Sequence, residues 1–473
     1  MESWNTRFAA LEINHLRSPT IAHPMAFEPT ALLNFAVKEN RTAELIDPPF
    51  VSKWLTTTDM SQQEPLLKAL PSSALFRDFC ASLEAKLPHR WLSGKATSVC
   101  KDASTGKFRV HYKASAGEQE RRVVARAVIL ATGPVGKWNI PAPFEPHIAS
   151  RLILHTEELL ARGQGTLSEE ITRRCPGESA RVLVIGGGIS AAQAALAACR
   201  AGHEVVLRAR RPLQTRAFDI DPKWLDVRHA NRLRFEFLSL PMEKRREAVR
   251  QALSGGSVPA KYLRALEELG DALRVDVDEA IDASVVSIDD DGEHVLVNGQ
   301  SFAMVILATG TVSAPSCSPL YQSVEAALDA QTVCGLPAVD NLLRWVPGED
   351  LFVLGANAVL ELGPGGSNLM GAMRGAKVIA DELHDLMWTQ SAEEKAATSA
   401  RAFANPFSLL GDGDDDAASD GASSSDEEEV RPMPAEAAPK AAAAPKKALT
   451  KAEKALQKAR KHRKATKGKR GMS

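Results

Sequence analysis

The apolar positions of this chain change period along its length, and the changes mark its elements. In the stretch RVLVIGGGISAAQAALAACRAGHEVVLRARR (residues 181–211), the unbroken apolar run 182–185 predicts a strand buried on both faces. Gly186-Gly187-Gly188-Ile189-Ser190-Ala191 follows at once, and an alanine-rich segment to Arg200 predicts a helix. Beyond Gly202 a second strand is expected over 204–207. Strand, glycine turn, helix and strand, in that order, make a nucleotide-binding βαβ unit.

Upstream, helical periodicity appears over 29–37 and 73–85, and alternating patterns predict strands over 96–99, 107–112 and 122–130. The last runs into Ala131-Thr132-Gly133-Pro134. The same transition recurs where 303–307 leads into Ala308-Thr309-Gly310. An apolar strand ending in small residues suits backbone laid against a flat or anionic ligand at the carboxyl edge of a sheet, and it equally suits a plain strand-to-turn exit. Two copies flanking the βαβ unit imply a chain that leaves one domain and later returns to it. Between them, residues 218–269 form a charged helical insertion, either a lid or substrate-facing subdomain or a solvent-exposed helical hairpin. Further on, a buried strand expected over 351–357 precedes a glycine-rich stretch, Glu361 to Met370, and a helix over 371–388. This is a second glycine loop feeding a helix N-terminus, suited to an anion or serving only as a cap.

Each residue of the 186–191 turn has a mechanical reason. Gly186 permits the tight bend, Gly188 lets backbone approach a pyrophosphate, and the small Ala191 lets helix and strand pack closely. The helix N-terminus then offers free N–H groups. At the end of the second strand, where an acidic residue would accept a bond from a ribose 2′-OH, the chain carries Arg208, Arg210 and Arg211. A guanidinium fork clamps a 2′-phosphate, so the pattern favours NADPH over NADH, unless the three form a solvated surface cluster.

With 473 residues the chain is long enough for two or three domains. Its six cysteines, Cys80, Cys100, Cys175, Cys199, Cys317 and Cys334, make no CxxC pair, which argues against a redox dithiol and against a zinc site. No signal pattern and no apolar stretch of roughly 18 residues is present, so no membrane span is expected. The net charge of −1 hides a segregated tail, acidic over 412–429 and basic over 431–470. From about residue 397 the chain is expected to be disordered, with a short charged helix over 451–464. The tail reads either as a nuclear or nucleic-acid-contacting segment on an otherwise cytoplasmic protein, or as a solubilising extension.

With these pieces placed, the chain resembles the two-dinucleotide-binding flavoproteins of the flavin monooxygenase type, in particular the lysine and ornithine N-monooxygenase branch. The carriers are VIGGGISAAQ (184–193), the two segments Thr132-Gly133 and Thr309-Gly310, and LGANAVLELGPGGSNLMGA (354–372), with His15–Pro19 and His155-Thr156 as secondary matches. The resemblance covers about residues 4–386. It implies an α/β fold with two Rossmann-like three-layer domains. An FAD domain (1–150 and 316–396) is joined through a linker (151–178) to an inserted NADPH domain (179–315), and the tail (397–473) follows.

By that resemblance Gly186, Gly187, Gly188, Ile189, Ser190, Arg208, Arg210 and Arg211 hold NADPH, while Thr132, Gly133, Thr309, Gly310, Gly355, Leu362, Gly363 and Asn368 lie along FAD. The implied chemistry is hydride transfer from NADPH to the flavin, reaction of reduced flavin with O2, and oxygenation of an amine or other soft nucleophile. No catalytic acid or base is implied, because the cofactor carries the hard step. The family's own first strand with its GxGxxG loop has no counterpart here, since the first glycine is Gly94. The FAD domain is therefore expected to be N-terminally incomplete. A non-enzymatic NADPH-binding sensor or scaffold stays open as a second reading.

Overall fold

The computed structural model describes residues 2–404 apart from 47–68, 88, 115–117, 163–164, 178, 217, 225–226 and 254–255. The chain separates into two units, Met1–Ala400 and Arg401–Ser473, and the elements that build the site belong to the first. The expectations for the acidic and basic stretches and for a helix over 451–464 lie outside the described residues.

Five parallel strands form the central sheet, in the spatial order Leu273–Val277, Glu204–Ala209, Arg181–Ile185, Met304–Leu307, Ile153–His155. Val182 and Val184 face one core with Leu154, Met304, Ile306 and the alanines of the helix Ile189–Arg200. Leu183 and Ile185 face another with Ile153, Val305, Leu307, Phe144 and Phe302. A strand buried on both sides needs apolar residues without alternation, which is what residues 182–185 supply. The helix packs close because its inner face is alanine.

The stretch 151–178, expected as a linker, instead supplies the edge strand Ile153–His155 and the helices Thr156–Arg162 and Leu167–Arg174. Three apolar residues are too few to show a period, so the strand was hidden in the sequence. Its place is held by Arg174, whose buried guanidinium donates to the carbonyl of Ile153 at 2.9 Å and pairs with Glu170 at 2.5 Å and Glu158 at 2.8 Å.

The two Ala-Thr-Gly transitions share one design. A three-stranded antiparallel meander, Lys95–Lys101, Phe108–Lys113 and Arg121–Ala125, leads into the strand Val128–Leu130, which pairs in parallel with Leu351–Val353. A second meander, Val286–Ile288, Val295–Val297 and Gln300–Phe302, leads into Met304–Leu307. The single strand expected over 122–130 is thus two, because residues 121–125 close the meander and 128–130 join a different sheet. Met304–Leu307 is paired on both sides. Among the described residues Val128–Leu130 is paired on one side only, and Ile129 is 42% exposed.

The helical insertion is packed on the body of the fold, not a solvent-exposed hairpin, and its Pro259, Lys261 and Tyr262 face a cavity. Its helices Val227–Leu238 and Met242–Leu253 dock on the segments Val359–Leu362 and Pro364–Ser367, with Phe237 and Val249 buried against Val359 and Leu360. The closing helix runs from Leu369 to Ala404, past the expected end at Trp388 and into the stretch from Ala397 read as disordered. Ala, Glu, Lys and Arg dominate residues 392–403, and their helix propensity carries the helix on.

Candidate functional site

The glycine turn sits at the carboxyl edge of the central sheet. Gly186 N–H donates to the carbonyl of Arg208 at 3.0 Å, and a β-carbon on Gly186 would come 2.4 Å from the carbonyl oxygen of Ala308. Gly188, which caps the helix Ile189–Arg200, has open space where a side chain would lie. The turn therefore presents bare backbone and the free N–H groups of a helix, with Gly187, Ile189 and Ser190 all partly exposed. One strand away the three arginines part company. Arg208 turns inward, 7% exposed, with Nε 4.0 Å from Asp278 and Nη2 donating to the side-chain Oε1 of Gln300 at 3.5 Å. Arg210 and Arg211 are exposed, and Arg210 lies 3.9 Å from Asp282.

Thr132 and Gly133 are held by a polar cluster that sequence reading missed. The wholly buried Asn357 donates through Nδ2 to Gly133 O at 3.0 Å and to the Tyr321 hydroxyl at 2.7 Å, and Tyr321 lies 3.0 Å from Thr132 Oγ1. Asn357 Oδ1 has no hydrogen-bond partner among the described residues. Burial pushes the Tyr321 hydroxyl up, so it stays protonated at neutral pH. Gly133, at φ 70°, faces open space. Only the motif LGANAV hinted at Asn357; nothing marked Tyr321.

The Thr132-Gly133 loop and Ile189, just past the glycine turn, border one cavity of about 1120 Å³. Thr132, Gly133 and Pro134 form one wall, Ser367 and Leu369 another, and Ile189 with Pro259, Lys261 and Tyr262 a third. The N-terminal segment, including Trp4, Phe8, His15 and Arg17, also lines it. Arg17 is spent on structure, donating to Phe218 O at 2.7 Å, Arg216 O at 2.9 Å and Ser257 Oγ at 2.8 Å. Arg7 pairs with Glu157 at 2.9 Å across the rim. Asn368 lines a small adjoining cavity with Arg17 and Asp219.

Not every expected residue reaches the cavity. Gly363 is covered by Trp224 and Phe237, and Leu362 is buried in the core with Leu343, Leu354 and Ile379. Gly355 supports the turn that carries Asn357. Thr309 accepts from His155 and donates to Asn139 O, so its hydroxyl is engaged behind the cavity wall. Arg245 clamps the insertion in place, donating to Leu360 O at 3.0 Å and pairing with Glu361 at 3.3 Å. Burial raises the Glu361 carboxyl, and Arg245 and Arg234 oppose that rise.

None of the six cysteines borders the cavity, all are free, and burial pushes the Cys80 thiol up to about 12 and the Cys199 thiol up to about 11. Such thiols are poor nucleophiles. Among the described residues no His, Cys, Asp and Glu group is placed to hold a metal, and no helix is long and apolar enough to cross a membrane.

The Thr132-Gly133 loop, fed by a meander and a parallel strand, and Ile189, just past the glycine turn, face one cavity in a fold shared with several solved monooxygenases. A family model described as pyridine nucleotide-disulphide oxidoreductase matches residues 35–237. The FAD-bound cadaverine monooxygenase of Erwinia amylovora is similar at 17% identity and a TM-score of 0.56, covering 79% of this chain and 84% of that one. The ornithine hydroxylase of Pseudomonas aeruginosa, in its reduced form, matches at 14% identity and 0.56, over 80% and 88%. The ornithine N-hydroxylase of a Kutzneria species, solved with reduced FAD, NADP+ and L-ornithine, matches at 16% and 0.57, over 80% and 90%. No curated protein matches the sequence.

Proposed function

We propose that this chain is an FAD- and NADPH-dependent oxidoreductase of the flavin monooxygenase type, acting on an amine or another soft nucleophile. The observation that carries the reading is a shared cavity. Thr132, Gly133, Ser367 and Ile189 all face it, so a flavin against the first three and a nicotinamide cofactor arriving from the glycine turn would meet. The residues fit both groups: Gly188 and Gly133 leave room where any side chain would intrude, and the cavity of about 1120 Å³ exceeds the size of ordinary small-molecule pockets.

In this reading the Gly186–Ser190 turn takes the pyrophosphate of NADPH on backbone N–H groups, and the exposed Arg210 and Arg211 take its 2′-phosphate. Arg208 supports the strand end through Asp278. Thr132 and Gly133, fixed by Asn357 and Tyr321, lie along FAD with Ser367 and Asn368. Thr309 and Gly310 shape the edge between the two sites. When bound, the flavin supplies hydride acceptance and the reaction with O2. The protein orients both cofactors and, through Trp4, Phe8, Ile189 and Leu369, keeps water out.

The test uses the full chain reconstituted with FAD. A flavin absorption spectrum that NADPH bleaches without oxygen, and oxygen consumption stimulated by cadaverine, ornithine or lysine, are the expected results. A chain that retains no flavin and leaves NADPH unoxidised overturns the reading.

A further inference from the structure

The indole of Trp138 and the imidazole of His155 lie parallel, their planes 2° apart and their centroids 5.2 Å apart. His155 is fully buried and held at both nitrogens. Its Nδ1 accepts from the Glu157 N–H at 3.2 Å, so the proton sits on Nε2, which donates to Thr309 Oγ1 at 3.3 Å. Thr309 Oγ1 in turn donates to Asn139 O, and Asn139 Nδ2 returns a bond to Thr309 O at 3.1 Å. The imidazole can neither rotate nor slide, and it backs an indole that is 38% exposed and borders the main cavity. The indole is also anchored from its own strand, Gly136–Trp138, which pairs with Thr311–Ser313.

The order of strands along the carboxyl edge gives this platform its meaning. Arg210 and Arg211 follow the strand Glu204–Ala209, the glycine turn follows Arg181–Ile185, Thr309 follows Met304–Leu307, and His155 ends the next strand. Neighbouring strands are about 4.8 Å apart, so His155 lies on the order of 10 Å from the glycine turn, on the side away from the arginines. A dinucleotide with its pyrophosphate on the turn and its 2′-phosphate on Arg210 and Arg211 must direct its other half across Thr309 toward Trp138. An aromatic face fixed from behind and open toward the cavity suits a planar ring.

We propose that Trp138, with His155 beneath it as a positioning residue, is the stacking platform for the nicotinamide ring of NADPH. The proposal rests on the reading that the Gly186–Gly188 turn takes NADPH, and the experiment separates the two.

Calorimetry on the full chain measures affinity for NADPH and for 2′,5′-ADP, which keeps the phosphorylated adenosine end but lacks the nicotinamide. Trp138→Ala weakens NADPH about tenfold and leaves 2′,5′-ADP unchanged, in line with the loss of one ring-on-ring stack. Trp138→Phe keeps NADPH affinity within about threefold, because a stack survives, but reduces energy transfer from tryptophan to bound NADPH. His155→Ala, which frees the indole to tilt, weakens NADPH alone, whereas His155→Phe restores it. Equal loss of both ligands in Trp138→Ala, or no loss of either, overturns the platform while the nucleotide site stands. A wild-type chain that binds neither ligand overturns the nucleotide site, and the platform with it.

Discussion

Gly186 lies so close to Ala308 that a β-carbon on the first would stand 2.4 Å from the carbonyl oxygen of the second and 3.1 Å from the β-carbon of Ala191. The contact joins the glycine turn to the neighbouring strand end, where neither backbone can retreat without breaking the sheet. Gly186→Ala is therefore expected to cost about 2–3 kcal/mol by overpacking. Gly188→Ala meets nothing within 4 Å, so its stability should change by less than about 1 kcal/mol, the usual range for a helix cap. NADPH binding should fall in both. Urea denaturation and NADPH titration of the two variants check this, and equal stability losses would show that the turn is not where it is placed.

The three arginines at the second strand end make different predictions. Arg208 is buried beside Asp278, so Arg208→Ala should lower stability and leave the preference for NADPH over NADH intact. Replacing the exposed Arg210 and Arg211 should do the reverse. Losing a charge-assisted bond of about 1.5–3 kcal/mol lowers NADPH affinity about ten- to a hundredfold with little effect on NADH. Paired titrations with both nucleotides decide it; a preference lost in Arg208→Ala alone would return the 2′-phosphate to that residue.

The central βαβ unit was legible because its signal is local: four apolar residues, three glycines and an alanine-rich helix stand next to each other in sequence. The edge strand Ile153–His155 was not, because its burial comes from neighbours at 304–307 and from Arg174, none of them near it in the chain. Inward or outward direction of Arg208 was equally hidden, since it depends on Asp278 from another strand. Asn357 and Tyr321, 36 residues apart, become one hydrogen-bonded cluster only in three dimensions. The docked state of the insertion escaped notice for a related reason: Arg245 is one charge among many on its helix, and only Leu360 O and Glu361 select it.

Arg174 holds the edge strand that sequence reading overlooked. Its side chain is 4% exposed and pairs with Glu170, itself 10% exposed, while also bonding Ile153 O. Arg174→Met removes a buried donor and leaves an uncompensated carbonyl and part of a carboxylate cluster, at a cost of about 3 kcal/mol. Arg162, at 45% exposure on the same cluster, should matter by less than about 1 kcal/mol when changed to alanine. Urea unfolding at pH 7 measures both, and a larger loss in Arg162→Ala would show that the cluster is organised from the surface.

Stability should fall with acidity in two stages whose order follows from burial. Desolvation holds His23 and His155 below their ordinary value of 6.5, because a buried imidazole resists charge. The unfolded chain takes up these protons near 6.5 and the folded chain only at lower pH, so acid favours unfolding. Their contribution is complete above 6.5 and is lost as pH falls from there toward the folded values. Glu44 and Glu170 act lower down: hydrogen bonds from Arg41 and from Arg173 hold each at about 2, so their contribution is complete above the ordinary 4.5 and disappears toward 2. Between pH 7.5 and 5 these histidines should lower Tm, because the unfolded chain takes up their protons first. Replacing His155 with phenylalanine removes a titrating group, so it should flatten that part of the profile and leave the drop below pH 4.5 in place. Circular dichroism melts across pH 3–8 provide the measurement. A Tm constant from pH 7.5 to 5, or an unchanged slope in the His155→Phe chain, would mean that His155 does not carry the first stage.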